Sequence, residues 1–143
     1  MERLTDILGW TVYLDTNILI YAVEGYEPGA VFLQGLLAAL EEGRFAAVTS
    51  ELTLAEVLVK PFGLGREDAV AAYTELLTPS DRLTVPPVGR AILVEAARQR
   101  AALGTPMPDA IHVATALAAG GELFLTNDRR LKTPAGLTKE LLE

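Results

Sequence analysis

Apolar positions along the chain fall into short continuous runs separated by longer stretches with helical spacing. Thr11 to Leu14, TVYL, is a β-branched and aromatic run suited to a buried strand, and Asp15-Thr16 opens a helical segment over Asn17 to Val23. Pro28 to Glu42 reads as a helix with Leu33, Leu36, Leu37 and Leu40 on one face, ended by Gly43. Phe45 to Val48 is a second apolar strand. Thr49-Ser50 caps a helix that runs to Lys60, where Pro61 is expected to stop it. Arg66 to Leu77, Val88 to Leu103 and Met107 to Ala119 are further helices, the second ended by Gly104 and the third carrying Pro108 in its first turn. Leu83 to Val85 and Glu122 to Leu125 are strands, and Leu137 to Leu141 reads either as a last strand or as a helical tail.

Strands and helices thus alternate, and the strands are unbroken apolar runs. That pattern predicts an α/β domain whose parallel sheet is covered on both faces. The 143 residues fit a single domain over 1–143, and with half of them hydrophobic the chain can bury a core without staples. The absence of cysteine excludes a disulfide scaffold, a thiolate zinc site and a thiol nucleophile together. No apolar stretch is long enough to span a bilayer, and the N-terminal MERLTDILGW has acids where a secretory signal needs bases. A soluble, cytoplasmic protein is expected. The net charge of -7 argues against a general nucleic-acid binder unless part of that charge is neutralised at a site.

In parallel α/β sheets ligands bind beyond the carboxyl ends of the strands, so the acids at those ends matter most. Of six aspartates, Asp15 directly follows TVYL, Asp128 follows ELFLTN, and Asp109 stands in the first turn of the helix after Thr105 to Pro108. Each also has a plain structural role open to it. Asp15 and Asp109 suit helix caps or dipole partners, and Asp128 suits a turn. Glu56 lies in ELTLAEVLVK, a helix apolar nearly all round, so the expectation is that it is buried with the helix. A buried carboxylate must be protonated, paired with a base, or bound to a cation, and a distant arginine is the structural alternative. Four carboxylates gathered in a crevice would repel one another, and a divalent cation relieves this. Hard oxygen ligands select Mg²⁺ or Mn²⁺.

Four segments carry a family likeness: VYLDTNILIYA (Val12 to Ala22), TSELTLAEVLVKP (Thr49 to Pro61), MPDAIHVATALAAG (Met107 to Gly120) and LFLTNDRRL (Leu123 to Leu131). In their order and spacing they resemble PIN-domain nucleases, in particular the VapC-type toxins of prokaryotic toxin–antitoxin pairs, over nearly the whole chain. The resemblance implies a three-layer α/β/α sandwich around a mainly parallel sheet of about five strands, with acidic positions at Asp15, Glu56, Asp109 and Asp128. It also implies RNA hydrolysis with one or two Mg²⁺ or Mn²⁺ ions, leaving 5′-phosphate and 3′-hydroxyl ends. A homodimer and a cognate antitoxin are the implied protein partners.

Around this acid set, Thr16, Asn17, Thr126 and Asn127 can orient carboxylates or water, or serve only as turn and cap residues. Arg129, Arg130 and Lys132 can grip RNA phosphates, or form a solvated charge run. His112, three residues after Asp109 on the same helix face, reads as a structural hydrogen-bonding residue in preference to a proton shuttle. Trp10, Tyr13, Tyr21, Tyr26 and Tyr73 are too dispersed for a stacking platform and read as packing or interface residues. Two rival functions remain. A non-catalytic RNA- or protein-binding module would keep the fold without needing the acids. A haloacid-dehalogenase-type phosphatase would need a second Asp where Asn17 stands, and a lysine partner.

Overall fold

The computed structural model of the chain describes residues 4–25 and 29–142. Tyr26 and Pro28, the latter the expected start of the second helix, lie outside the described residues. A short 3-10 turn, Leu4–Asp6, leads into β1 (Thr11–Leu14), α1 (Thr16–Glu24), α2 (Ala30–Glu41) and β2 (Ala46–Val48). Then come α3 (Glu51–Gly63), α4 (Glu67–Leu76), β3 (Leu83–Thr84), α5 (Arg90–Leu103), α6 (Met107–Ala118), β4 (Leu123–Thr126) and β5 (Thr138–Leu141). The expected elements are present, their ends within a residue or two except the end of α3, and the C-terminal segment is a strand. Among the described residues, no helix is long and apolar enough to cross a membrane.

The five strands form one parallel sheet in the order β3-β2-β1-β4-β5. The chain builds outward from β1 through β2 to β3, then returns to the other side of β1 for β4 and β5. Strand order therefore reverses between β1 and β4, which opens a crevice at their carboxyl ends. Val12 and Leu14 pair with Leu123 and Leu125 in register and face a core completed by α1 to α4, with Ile18, Leu19, Leu33, Leu36, Val57 and Tyr73. The alternate residues, Tyr13 and Phe124, face the other side and pack with Val113 and Ala116 of α6. α5 closes that layer by packing Ile92 and Ala96 against Ala110 and Ala114 of α6. The result is the three-layer sandwich, with both sheet faces dry and period-two alternation deciding which layer each residue joins.

Pro61 does not end α3. Its fixed φ is compatible with a helix, its ring is buried, and the last turn continues to Gly63, with the Leu64 N–H returning to the Lys60 carbonyl at 3.0 Å. Proline removes one donor from the ladder, and burial of its ring offsets part of that loss. Nor is α3 buried all round. Thr53, Val57 and Pro61 form a single inward stripe at spacings of four, whereas Val59 is 71% and Phe62 65% exposed. α3 flanks the sheet, so only one side of it meets the core.

Candidate active site

Four separate segments supply acids to one crevice at the β1/β4 switch point. It is small, about 250 Å³, and is lined by Asp15, Thr16, Asn17, Ile20, Glu56, Asp109, His112 and Asp128. Among the described residues, no lysine or arginine lines it. A larger apolar groove of about 490 Å³, with Val23, Pro61, Leu64 and Tyr73 in its wall, contains none of these acids.

Asp15 is held because β1 ends where α1 begins. It is the N-cap of α1, its Oδ1 accepting from the Thr16 N–H at 2.9 Å, and its own N–H bonds the Leu125 carbonyl of β4 at 3.0 Å. Its other oxygen, Oδ2, accepts from the Thr126 hydroxyl at 2.6 Å. The Thr126 hydroxyl oxygen in turn accepts from the Asp128 N–H at 3.0 Å. One buried threonine thus ties together the carboxyl ends of the two central strands and the turn that carries Asp128. Asp128 Oδ1 accepts from the Arg130 N–H at 2.9 Å, a local Asx turn. The capping and turn roles open to Asp15 and Asp128 are therefore real, and they are the means by which each carboxylate is aimed.

Glu56 is not buried with its helix, as the apolar pattern suggested. Its side chain is 33% exposed and forms part of the crevice wall. Nor, among the described residues, is it paired with an arginine. Its Oε1 accepts from the Thr16 hydroxyl at 2.6 Å and lies 2.7 Å from His112 Nε2. Burial pushes the Glu56 carboxyl up, but the hydrogen bonds from His112 and Thr16, with the charge interaction of His112, outweigh it and hold Glu56 below the ordinary range. Asp109 behaves in the opposite way. Burial, followed by the charges of Asp15 and Asp128, raises its carboxyl above the ordinary range, against the lowering effect of His112. The acids in the crevice therefore do repel one another, and Asp109 is where that repulsion is felt.

His112 is buried and bonded at both ring nitrogens, with Nδ1 2.5 Å from the Tyr13 hydroxyl. Burial, then the nearby Asp15 charge, lifts the Tyr13 hydroxyl pKa well above its ordinary value, against hydrogen bonds from Thr49 and Thr53. Tyr13 reads from the sequence as a packing or interface residue, and no local spacing reveals its polar end, because its partner lies 99 residues away. Thr49, which reads only as part of a helix cap, and Thr53 also make buried polar contacts. Their hydroxyls are 2.7 Å apart, and Thr49 donates to the Leu14 carbonyl, fixing the end of β1.

The remaining candidates divide. Thr16 and Thr126 bond the carboxylates directly and Asn17 lines the crevice, but Asn127 turns its amide to the Tyr21 hydroxyl at 3.0 Å. Arg130 and Lys132 line a second pocket of about 420 Å³, which shares Asp109 and Asp128 with the first. Arg129 does not line it. The Arg129 and Leu131 carbonyls accept from Lys139 Nζ of β5 at 3.0 and 2.8 Å, which pins the basic loop to the sheet edge. Among the described residues, no three His, Asp or Glu side chains are arranged to clasp one ion directly.

Comparison with known proteins agrees with this architecture. Among curated proteins none matches. Among solved structures, a toxin–antitoxin complex from Klebsiella pneumoniae is similar at 21% identity and TM-score 0.64, over 89% of this chain and 95% of that one. VapBC2 from Rickettsia felis, bound to a DNA fragment from its promoter, is similar at 17% identity and TM-score 0.69, over 92% and 98%. DNA-bound VapBC from Salmonella typhimurium is similar at 21% identity and TM-score 0.67, over 92% and 97%. At these identities the likeness is one of fold. The sequence itself is more specific: residues 12–137 match the PIN domain family, and the chain belongs to it.

Proposed function

We propose that the chain, as one PIN domain, is a cytoplasmic endoribonuclease dependent on Mg²⁺ or Mn²⁺, and the toxin component of a toxin–antitoxin pair. The observation that carries this reading is the gathering of Asp15, Glu56, Asp109 and Asp128 from four segments around one crevice in which, among the described residues, His112 is the only basic side chain. Such a set suits a hard cation. Mg²⁺ keeps several waters and takes only one or two carboxylates directly, so an open, uncollapsed acid set fits it without a three-residue clasp. Asp15 and Asp109 would be the main ligands, with Glu56 and Asp128 completing the shell directly or through water. A divalent ion bound there supplies positive charge against the scissile phosphate and acidifies water in the crevice.

The chain's own residues hold that arrangement. Thr126 and the Thr16 N–H fix Asp15, and Thr16 and His112 fix Glu56 as an ionised carboxylate. Arg130 and Lys132, on the flank shared by Asp109 and Asp128, are suited to grip the neighbouring phosphate of a bound strand. Changing both to glutamine is expected to raise KM with little change in kcat. It should also lower the salt slope of RNA binding by about 1.4, the share of two single-strand phosphate contacts. An unchanged slope would leave them as solvated charges. A haloacid-dehalogenase reading gains nothing, since Asn17 occupies the second acid's position and no lysine lines the crevice.

The test is cleavage of RNA by the purified chain with Mn²⁺, after EDTA, and as Asp15→Asn. Asparagine caps a helix as well as aspartate does, so the fold should persist. The native chain should cut, EDTA should stop it, and Asp15→Asn should be slower by roughly 10²-fold or more. Equal degradation by both proteins would point to a contaminant and favour a non-catalytic binding module. The similarity to toxin–antitoxin complexes supports an antitoxin partner. Exposed Val59, Phe62 and Leu64, at and just beyond the end of α3, offer apolar area for that partner or for a second copy in a homodimer.

A further inference from the structure

We infer that Tyr13 and His112 are positioning residues: Tyr13 holds the His112 ring in place, and the ring, donating from Nε2, locks the Glu56 carboxylate against the crevice. The effect on cleavage rests on the nuclease reading above, whereas the hydrogen-bond chain itself does not.

The direction of the chain follows from what each atom can do. An ionised carboxylate only accepts, so at 2.7 Å from Glu56 Oε1 the His112 Nε2 must donate. The other ring nitrogen, Nδ1, stands 2.5 Å from the Tyr13 hydroxyl, and this hydrogen bond anchors the ring whichever of the two atoms carries the proton between them. The Nε2 proton therefore points to Glu56. The Thr16 hydroxyl stands 3.3 Å from Nε2 but 2.6 Å from Oε1, so its single proton also goes to Glu56.

Both donors fall on one carboxylate oxygen. That fixes the side-chain rotation and turns the whole Glu56 group by reference to β1, where Tyr13 is wholly buried. Such an anchor matters because α3 presents Glu56 at the border of its inward stripe, where a long acidic side chain has solvent-facing rotamers open to it. The path runs from a buried strand residue, through a ring 2% exposed, to a carboxylate 33% exposed. It connects the rigid sheet to an acid that is carried on a flanking helix.

The chain contains one histidine, so long-range ¹H–¹⁵N NMR of the ion-free protein reads this ring alone. The expected spectrum has a protonated Nε2, and Tyr13→Phe, which removes the anchor at Nδ1, should weaken the Nε2–H hydrogen bond and move its proton signal upfield. In RNA cleavage with Mn²⁺, His112→Gln keeps an amide donor near Nε2 and should cut within about threefold of native. His112→Asn keeps the Tyr13 contact but loses Glu56, so kcat should fall roughly 10–100-fold with KM within about twofold. A native ring without a proton on Nε2 would overturn the inference, as would folded His112→Asn cutting at the native rate. Should the native chain cut no RNA, the nuclease proposal fails, and the spectrum alone still upholds or overturns the hydrogen-bond chain.

Discussion

Replacing Asp109 by asparagine is expected to abolish cleavage while raising the melting temperature of the ion-free protein. The two effects have one cause. Burial and the charges of Asp15 and Asp128 make the Asp109 carboxylate unfavourable in the fold, so its pKa is raised. A raised folded value means that the folded state holds its proton to higher pH than the unfolded chain does. Between the two values stability falls as pH rises, and above both the full penalty persists. Asparagine has the same shape and no charge, so at neutral pH the penalty disappears. Activity moves the other way, because the cation loses a main ligand. Several kcal/mol of transition-state stabilisation should go with it, roughly 10³-fold in kcat. Thermal melts of both proteins from about pH 4 to pH 8 with EDTA, repeated with Mn²⁺, make the comparison. Native protein should lose stability with rising pH more steeply than the variant and should regain more of it with Mn²⁺. If Asp109→Asn melts lower than native in EDTA at neutral pH, the acids do not strain the fold as described. If it cuts RNA at the native rate, Asp109 is not a ligand.

Phe124→Ala should cost about 3–5 kcal/mol of folding stability, the usual range for deleting a buried phenyl ring. Phe124 is fully buried in the middle of β4, its ring stacked on Tyr13 with centroids 4.9 Å apart and planes 12° from parallel. Val113 and Ala116 of α6 complete its surroundings. These neighbours sit on a sheet and a helix that cannot collapse into the space, so most of the cavity should remain. For a chain of this length the loss amounts to a Tm lower by roughly 6–20 °C. Urea denaturation should show a lower midpoint at unchanged slope. A cost under about 1 kcal/mol would mean that the β4–α6 interface is loose. Because the same ring supports Tyr13, the variant should also weaken the hold on His112.

The layers, the elements and the candidate acids are legible along the chain. Continuous apolar runs such as TVYL and LFLT suit strands covered on both faces, and period-three-and-four runs such as Leu33, Leu36 and Leu40 suit helices with one inward face. Asp15 and Asp128 were legible because they follow such runs, and in a parallel sheet strand ends lie at one edge. Those are local properties, set by backbone period and by residue type. Which polar atoms meet is set by how the elements pack. That Thr126 bridges Asp15 and the Asp128 turn depends on β4 lying beside β1. That Glu56 is answered by a histidine and not an arginine, and stays a third exposed, depends on how α3 and α6 flank the sheet. Hydrogen bonds reach about 3 Å and are directional, so partners 40 to 111 residues apart leave no periodic trace. Apolar burial, by contrast, is non-directional, summed over whole faces, and so written plainly along the chain.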